Sequence, residues 1–517
     1  MSDPYKRNDL HARQEHALQM GGERRIARQH AKGALTARER ITQLLDPDTF
    51  DEYGQLAHSD LPDVADKTPA DGKICGYGEI DGRTVYVSAD DATVMAGAGG
   101  RVGVEKQFSG AKLATKRGYP LVHLGDGGGA RIPDIMGSVG MMSMVYPVKG
   151  APRNRYVPQI TTIMGVCYGG PSWTAAISDI VIQVKGSIMA VAGPSILEIA
   201  TGETATPEEL GSWQLHAEVT GQVDLFAEDD ADCLRLVRDT LSYLPSNATQ
   251  LPPRIDPIDT PDKPIHATKI VPADHKTGYD MHHLLEVIFD HNSLLELKPY
   301  YDGSLITAFA RLDGYVVGVL ANNPLVNVGA MGPGACDKAT SFIALCDSFH
   351  IPLIFLHDTP GFYVGKFAEE KQMPRKIMAY IQAIQQSSVP KISCIVRKSY
   401  GMAHCNMVGG NMGADTLLAW SIAEVSFMDP RVAVNVMYGR KLAEMPTEEA
   451  DIAREQYIQQ MRRGDAIWEA AGRNLVDKVI EPDATCHELI KALRRSQGPD
   501  GEHGRSERYL ANWSHRL

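Results

Sequence analysis

Cysteine is scarce and scattered: eight residues in 517, at positions 75, 167, 233, 336, 346, 394, 405 and 486, and never in a CxxC pair. That spacing argues against a zinc site or a disulfide framework, and it predicts reduced thiols in a cytoplasmic protein with no metal of its own. No uninterrupted apolar run nears the roughly 18 residues of a membrane span, and the first ten residues, MSDPYKRNDL, lack the apolar stretch of a secretory signal. Basic residues are outnumbered, 52 against 64 acidic, for a net charge of −12, which disfavours nucleic acid as a partner. An anionic ligand must then be met by a local cluster. The early run Arg24, Arg25, Arg28, Lys32, Arg38 and Arg40 is one candidate, though it reads first as a solvated helix face.

What is present is ordinary globular composition, 43% hydrophobic and 22% charged, in a chain long enough for two or three domains. It also holds a duplication. DGRTVYVSAD, from Asp81, lies over DGYVVGVLAN, from Asp313, at an interval of 313 − 81 = 232 residues. Without a gap, the same interval places Lys106 on Lys338, Pro120 on Pro352, Asp126 on Asp358, Val157-Pro158 on Val389-Pro390 and Gly169 on Gly401. One register held that far predicts two copies of one fold. Each copy reads as a β-rich opening, a helix around Lys106 or Lys338, and a short apolar strand (Pro120–Leu124 or Pro352–Leu356). That strand ends at an aspartate in a Gly/Pro turn. A helix and a second strand (Gln159–Met164 or Lys391–Val396) follow. Alternating strands and helices predict an α/β fold with mostly parallel pairing. The domains expected are 1–251 and 265–517, joined by a Pro- and Asp-rich linker over 252–264.

The second strand of each copy runs into a glycine turn. In copy one this is Cys167-Tyr168-Gly169-Gly170-Pro171, with the proline near the first position of a helix. Opening amides of a helix lack intrahelical partners, and glycine lets a ligand approach the backbone closely. That geometry suits an oxyanion hole, where one lost donor typically costs on the order of 3–4 kcal/mol. A lone Gly-Gly serves strand–helix packing equally well; the counterpart at Gly401-Met402-Ala403 favours the functional reading. No Ser–His–Asp or metal constellation accompanies these turns.

The order of motifs resembles the carboxyltransferase β subunits of propionyl-CoA and related biotin-dependent acyl-CoA carboxylases, from about Lys32 to Thr485. The matching stretches are Lys32–Ile41 with Leu44-Leu45-Asp46-Pro47, Asp126–Ile132, Met164–Gly170, Glu209-Leu210-Gly211 with His216, Asp358–Phe362, Lys398–Gly401, and Asp415-Thr416 through Glu424. The resemblance implies two tandem crotonase-like domains, a homohexamer, and an active site where the N-terminal domain of one subunit meets the C-terminal domain of another. It places an acyl-CoA on the N-terminal copy, near Gly128, Gly129, Ala130, Arg131, Cys167 and Tyr168. It places biotin on the C-terminal copy, near Gly361, Phe362, Tyr400 and Gly401. The catalytic amides it implies are those of Gly169 and Gly170 and of Met402 and Ala403. Two holes suit such chemistry, since carboxyl transfer puts negative charge on a thioester oxygen and on the ureido oxygen of biotin.

The sequence holds no biotinyl Met-Lys-Met site and no ATP-binding half, so a separate biotin carboxylase and biotin carboxyl carrier are the implied partners. Three departures bear on the acyl group: His404-Cys405 at the position tied to acyl selectivity, the segment Lys366–Lys376, and Arg101 in place of a common glutamate. Single residues keep plainer readings beside these. Asp126 and Asp358 read first as turn caps, His216 as a satisfied core histidine, and Arg131 equally as a salt-bridge partner. Three rival functions stand: a decarboxylase or transcarboxylase subunit on the same fold, a biotin-independent hydratase or isomerase, and a non-catalytic assembly partner. The second of these needs a side-chain acid/base pair by Gly169, and the sequence shows no glutamate placed for it.

Overall fold

The structure is a computed structural model and describes residues 7–144, 153–257, 266–275, 277–496 and 505–513. The chain divides into two compact units, one running to Gln250 and the other from Leu251. The first unit is built on strands β1 (Asp51–Tyr53), β2 (Lys73–Ile80), β3 (Arg83–Asp90), β4 (Leu121–Gly125), β5 (Gln159–Ile163), β7 (Ile180–Val184) and β9 (Leu225–Ala227), side by side in that order. β1 to β3 pair antiparallel and the rest parallel. Two further strands, β6 (Val166–Tyr168) and β8 (Ile188–Ala190), form a small parallel pair of their own.

Local chemistry explains these elements. β2 and β3 turn on Asp81-Gly82, both at positive φ (51° and 71°), the pair that a two-residue hairpin with right-handed twist demands. Every residue of β4 and β5 is buried, as expected of parallel strands covered on both faces. The helix Arg101–Arg117 carries the chain between the parallel strands β3 and β4 and stops at Gly118, which adopts the left-handed conformation that ends helices (φ 80°).

The second unit repeats the plan with β10 (Leu295–Leu297), β11 (Leu305–Leu312), β12 (Tyr315–Asn322), β13 (Leu353–Thr359), β14 (Lys391–Tyr400), β15 (Thr416–Trp420) and β17 (Lys478–Ile480). A further strand, β16 (Glu424–Ser426), pairs with the end of β14. Its core gathers Ile354, Leu356, Ile392, Cys394, Leu418 and Trp420 from adjacent strands. β11 and β12 lie 232 residues beyond β2 and β3 at both ends of each strand, and their hairpin turns on Asp313-Gly314 (φ 56° and 77°).

Upstream of β2 a different interval holds, 280 − 36 = 244 residues. It relates the helices Ala37–Leu44 and Met281–Ile288, their N-caps Thr36 and Asp280, and the edge strands β1 and β10. The extra residues of the first unit fall between β1 and β2. The basic run is divided between solvent and core. Arg24, Arg25, Arg28 and Lys32 are exposed, but Arg38 pairs with Glu52 on β1 and Arg40 is 1% exposed. Of the expected linker, residues 258–264 lie outside the described residues, and Ile255 is held within the second unit through its N–H to Gly314 O (3.2 Å).

Candidate functional site

β4 delivers Asp126 and the triglycine to one end of the first sheet. The Asp126 carboxylate is buried and accepts from Arg40 Nη1 (2.9 Å) and Gln29 Nε2 (3.0 Å), so it anchors the loop through an ion pair and is no simple turn cap. Gly97 (φ 67°) lets the preceding loop pass over it: a Cβ there would overlap the Asp126 carbonyl. Gly99 then forms a parallel bridge with Ala130, its N–H donating to Gly129 O (2.8 Å) while Arg131 N–H donates to Gly99 O (2.8 Å). The bridge turns the Ala130 N–H to the opposite side, where it finds no acceptor among the described residues.

The glycine turn after β6 supplies the partner amide. Gly169 adopts φ 63°, ψ −112°, open to glycine alone, and caps the helix Gly170–Ala176 with its carbonyl (Trp173 N, 2.9 Å). Its own N–H donates to Ala190 O (3.1 Å), so of the two amides expected here only that of Gly170 has no acceptor among the described residues. Gly129, Ala130, Gly169 and Gly170 line one cavity of about 170 Å³, walled elsewhere by Val104, Phe108 and Trp173.

Three residues that sequence reasoning missed, Lys73, Asp90 and His123, line the same cavity. Lys73 Nζ donates to Asp90 Oδ1 (2.5 Å) and Gly97 O (3.3 Å). His123 Nδ1 meets Gln107 Nε2 (3.1 Å) and Ser88 Oγ (3.0 Å), and its Nε2 lies 3.7 Å from Asp90 Oδ2 with no hydrogen-bond partner among the described residues. Burial holds His123 below its ordinary pKa, so the ring is neutral. A signal existed: at the 232-residue interval, Lys73 faces Leu305 and His123 faces Phe355.

Other expected residues lie elsewhere. The Gly128 N–H is used by Ala96 O (2.9 Å), and Gly128 lines a different groove of about 580 Å³ with Gln29, Lys32 and Lys185. Arg131 is 3% exposed and holds Asp71 (2.5 Å) and Asp134 (2.6 Å), the salt-bridge alternative, so its guanidinium is turned away from solvent. Cys167 is fully buried and burial pushes its thiol up; Tyr168 is half-buried, its N–H on Gly127 O (3.3 Å). His216 is satisfied by Met189 O (2.6 Å) and Thr220 Oγ1 (3.1 Å).

The second unit repeats the backbone device. Gly329 (φ 83°) passes over the Asp358 carbonyl as Gly97 passes over Asp126, and Met331 bridges Phe362 as Gly99 bridges Ala130. Met331 N–H donates to Gly361 O (3.2 Å) and Tyr363 N–H to Met331 O (2.9 Å), which leaves the Phe362 N–H facing outward. Thr359 and Ser399 are register partners on neighbouring strands, so this loop and the Gly401 turn (φ 60°) leave adjacent strand ends. The N–H groups of Met402 and Ala403 have no acceptor among the described residues. Tyr400 is buried and donates to Glu424 Oε2 (2.8 Å), so its hydroxyl packs inward. His404 Nδ1 meets Ser399 Oγ (2.9 Å), and Cys405 Sγ lies 3.6 Å from Asn411 Oδ1.

Among the described residues no helix is long and apolar enough to cross a membrane. A family profile described as "Carboxyl transferase domain" matches residues 28–498. The propionyl-CoA carboxylase carboxyltransferase subunit of Haloferax mediterranei is 37% identical over 96% of this chain and 98% of its own length. The methylmalonyl-CoA decarboxylase subunit alpha of Veillonella parvula is 34% identical over 92% of each chain. The crystal structure of transcarboxylase 12S, solved as a hexamer assembly with methylmalonyl-coenzyme A and methylmalonic acid bound, superposes with a TM-score of 0.88 at 35% identity, covering 96% of each chain. The profile and these relatives give the two tandem crotonase-like units their family: the chain belongs to the carboxyl transferase family, the carboxyltransferase subunits of biotin-dependent acyl-CoA enzymes.

Proposed function

We propose that the chain is the carboxyltransferase component of a biotin-dependent acyl-CoA carboxylase, moving a carboxyl group onto the α-carbon, or its vinylogous position, of an acyl-CoA. The observation that carries this reading is the pair of amides, Ala130 and Gly170, that find no acceptor among the described residues at one cavity of the first unit. A thioester oxygen placed between them gains negative charge when the α-carbon is activated, and fixed donors stabilise that charge without reorganising. Gly169 contributes by shaping the turn and Gly129 by close backbone approach, while Gly128, Arg131, Cys167 and Tyr168 hold the two loops around the acyl-CoA.

The second unit takes the carried biotin. Its Met402 and Ala403 amides, without acceptors among the described residues, fit a ureido oxygen that gains charge as the carboxyl leaves, and the outward Phe362 amide parallels Ala130. Bound there, biotin supplies the carboxyl group. Gly361, Tyr400 and Gly401 fix the two turns, and His404 and Cys405 border the acyl group. The partners are a biotin carboxylase and a biotin carboxyl carrier, and the chain works as a homohexamer with acyl-CoA and biotin meeting between protomers. Eight unbonded cysteines suit a reducing cytoplasm. The same two sets of amides suit decarboxylation and transcarboxylation as well, so direction follows from the partners. His123 and Asp90, which line the same cavity as Gly170, are what favours the hydratase or isomerase reading.

Gly170 offers a clean test, because a Cβ added there meets nothing within 4 Å among the described residues. Gly170→Val fills the space above its own amide and leaves the turn intact. Biotin-dependent loss of carboxyl from a malonyl-type CoA, measured with free biotin, falls at least a hundredfold with the oligomer unchanged by light scattering. Retained activity in Gly170→Val, or turnover without biotin, rejects the reading.

A further inference from the structure

The first unit places charge where the second uses hydrocarbon. At the common interval, Lys73 corresponds to Leu305, Ser88 to Leu320, Gln107 to Ala339 and His123 to Phe355, while Asp90 corresponds to Asn322. The backbone elements are the same, and Leu305 and Phe355 are fully buried. Folding this sheet therefore does not require the polar set. In the first unit Lys73 is 3%, Asp90 1% and His123 5% exposed, in a cavity whose other walls are mostly apolar. Burying an ion pair and an imidazole among hydrocarbon is unfavourable compared with packing hydrocarbon there. A residue set that the fold can do without, and that lines a cavity, is kept for what enters it.

The hydrogen bonds indicate what enters. Gln107 Nε2 donates to His123 Nδ1, so the ring proton sits on Nε2, which lies 3.7 Å from Asp90 Oδ2 and has no hydrogen-bond partner among the described residues. Lys73 gives two of its three hydrogens to Asp90 and Gly97 O. Both free hydrogens seek an acceptor. The floor carries no net charge, since Lys73 offsets Asp90 and His123 is neutral, so it favours a neutral oxygen over a carboxylate. For size, a cavity of about 150 Å³ holds benzene, so about 170 Å³ admits an acyl chain of roughly six heavy atoms.

We propose that Lys73, Asp90 and His123 form an oxygen-recognising floor in the acyl cavity, and that the preferred substrate is a short acyl-CoA bearing a hydroxyl or keto oxygen on its acyl chain. This rests on the assignment of the first unit to acyl-CoA. A site built to hydrogen-bond an oxygen rejects the analogue lacking it more strongly than an apolar pocket rejects an extra methylene, because its polar groups are then left unpaired.

The test titrates the full-length protein calorimetrically with 3-hydroxypropionyl-CoA, propionyl-CoA, succinyl-CoA and CoA. The hydroxyacyl thioester binds at least tenfold more tightly than propionyl-CoA, and succinyl-CoA more weakly than either. His123→Phe, which writes in the side chain of the second unit, brings the hydroxyacyl-to-propionyl ratio to one or below while CoA binds unchanged; His123→Gln keeps part of the preference. A wild-type ratio of one or less overturns the proposal without any variant, so misfolding of His123→Phe does not protect it. A ratio above ten that survives in a folded His123→Phe also overturns it. Absence of carboxyl transfer from every thioester would instead reject the proposed function, a separate result.

Discussion

The two units share a backbone and differ in where they keep an arginine. In the first, the strand-end Asp126 is clamped by Arg40, from the helix that precedes β1, and that guanidinium also holds Asp230 (2.8 Å). In the second, Asp358 is clamped by Arg397, from β14 (2.9 Å), whose Nη1 also reaches the carbonyls of Pro272, Asp274 and Thr277. The corresponding positions are exchanged: Arg40 is matched by Leu284 and Arg397 by Gly165. A Cβ on Gly165 would overlap the Asp126 carboxylate, so with the arginine on the helix the strand position is glycine. Each unit joins its loop aspartate to the segment before its sheet by one buried arginine, coming from opposite ends. The lesson is that the amide-bearing loop is the conserved object and the charge that fixes it is movable.

Exchanging the clamp in one unit breaks the comparison most severely. Arg40→Leu leaves Asp126 and Asp230 buried without their cation and costs about 3–5 kcal/mol, read as a fall in the unfolding midpoint of the first unit. Gly165→Arg alone also destabilises, by forcing a second guanidinium into an occupied site. If the two positions are alternative seats for one clamp, the double variant is more stable than the sum of the single losses requires, with a coupling of about 0.5–3 kcal/mol. Among the described residues Asp230 keeps just the Leu35 N–H (2.8 Å) in that variant, so recovery is partial. Strict additivity would show that the clamps are unrelated.

How much of this was legible in the sequence follows from the two intervals. From β2 to the Gly169 turn the spacing never changes, and the Asp-Gly hairpins and buried apolar strands announce themselves. Before β2 the interval is longer and the identities are mostly gone: Ala37–Leu44 reads ARERITQL, Met281–Ile288 reads MHHLLEVI, and both are helices of the same length. What persists there is role. Thr36 and Asp280 both cap, and Asp46 and Asp290 both accept from the hairpin glycine, Gly82 (2.9 Å) or Gly314 (2.8 Å). Arg40 was misread as solvated because a charge run on a helix says nothing about a buried carboxylate 86 positions on. Lys73 and His123 were missed because strand periodicity reports burial and is silent about cavities. The sequence names both glycine turns, but only the folded structure reveals that Ala190 O consumes the Gly169 N–H.

A middle-sized test compares the two turn glycines. A Cβ at Gly401 would sit 3.1 Å from Phe427 O, whereas at Gly169 the nearest atom, Val191 O, is 3.8 Å away. Both residues have positive φ, so Gly169→Ala and Gly401→Ala each cost about 1–3 kcal/mol in strain, and Gly401→Ala costs more. Chemical denaturation of the two variants gives the order; a larger loss at Gly169 would mean that strain, not crowding, dominates both turns.

The smallest effect concerns charge that depends on pH. Arg38 holds Glu52 through two hydrogen bonds (2.8 and 3.0 Å), and at the 244-residue interval the pair is His282 and Glu296 (2.8 Å), with Asp280 on the other ring nitrogen (2.7 Å). Hydrogen bonding to Glu296 leads the causes that raise His282 from 6.5 to about 9. A raised histidine pKa contributes stability that is complete below the unfolded value and is lost as pH climbs through the folded one. The second unit therefore loses on the order of 1–2 kcal/mol between pH 6.5 and about 9, after discounting for a ring that is 33% exposed. The first unit, with an arginine at the matching site, shows no such loss from this pair. His282→Arg, which copies the first unit's choice, flattens the wild-type fall in unfolding midpoint across that window. An unchanged slope in His282→Arg would move the pH dependence to another group and leave the two edge pairs electrostatically equivalent.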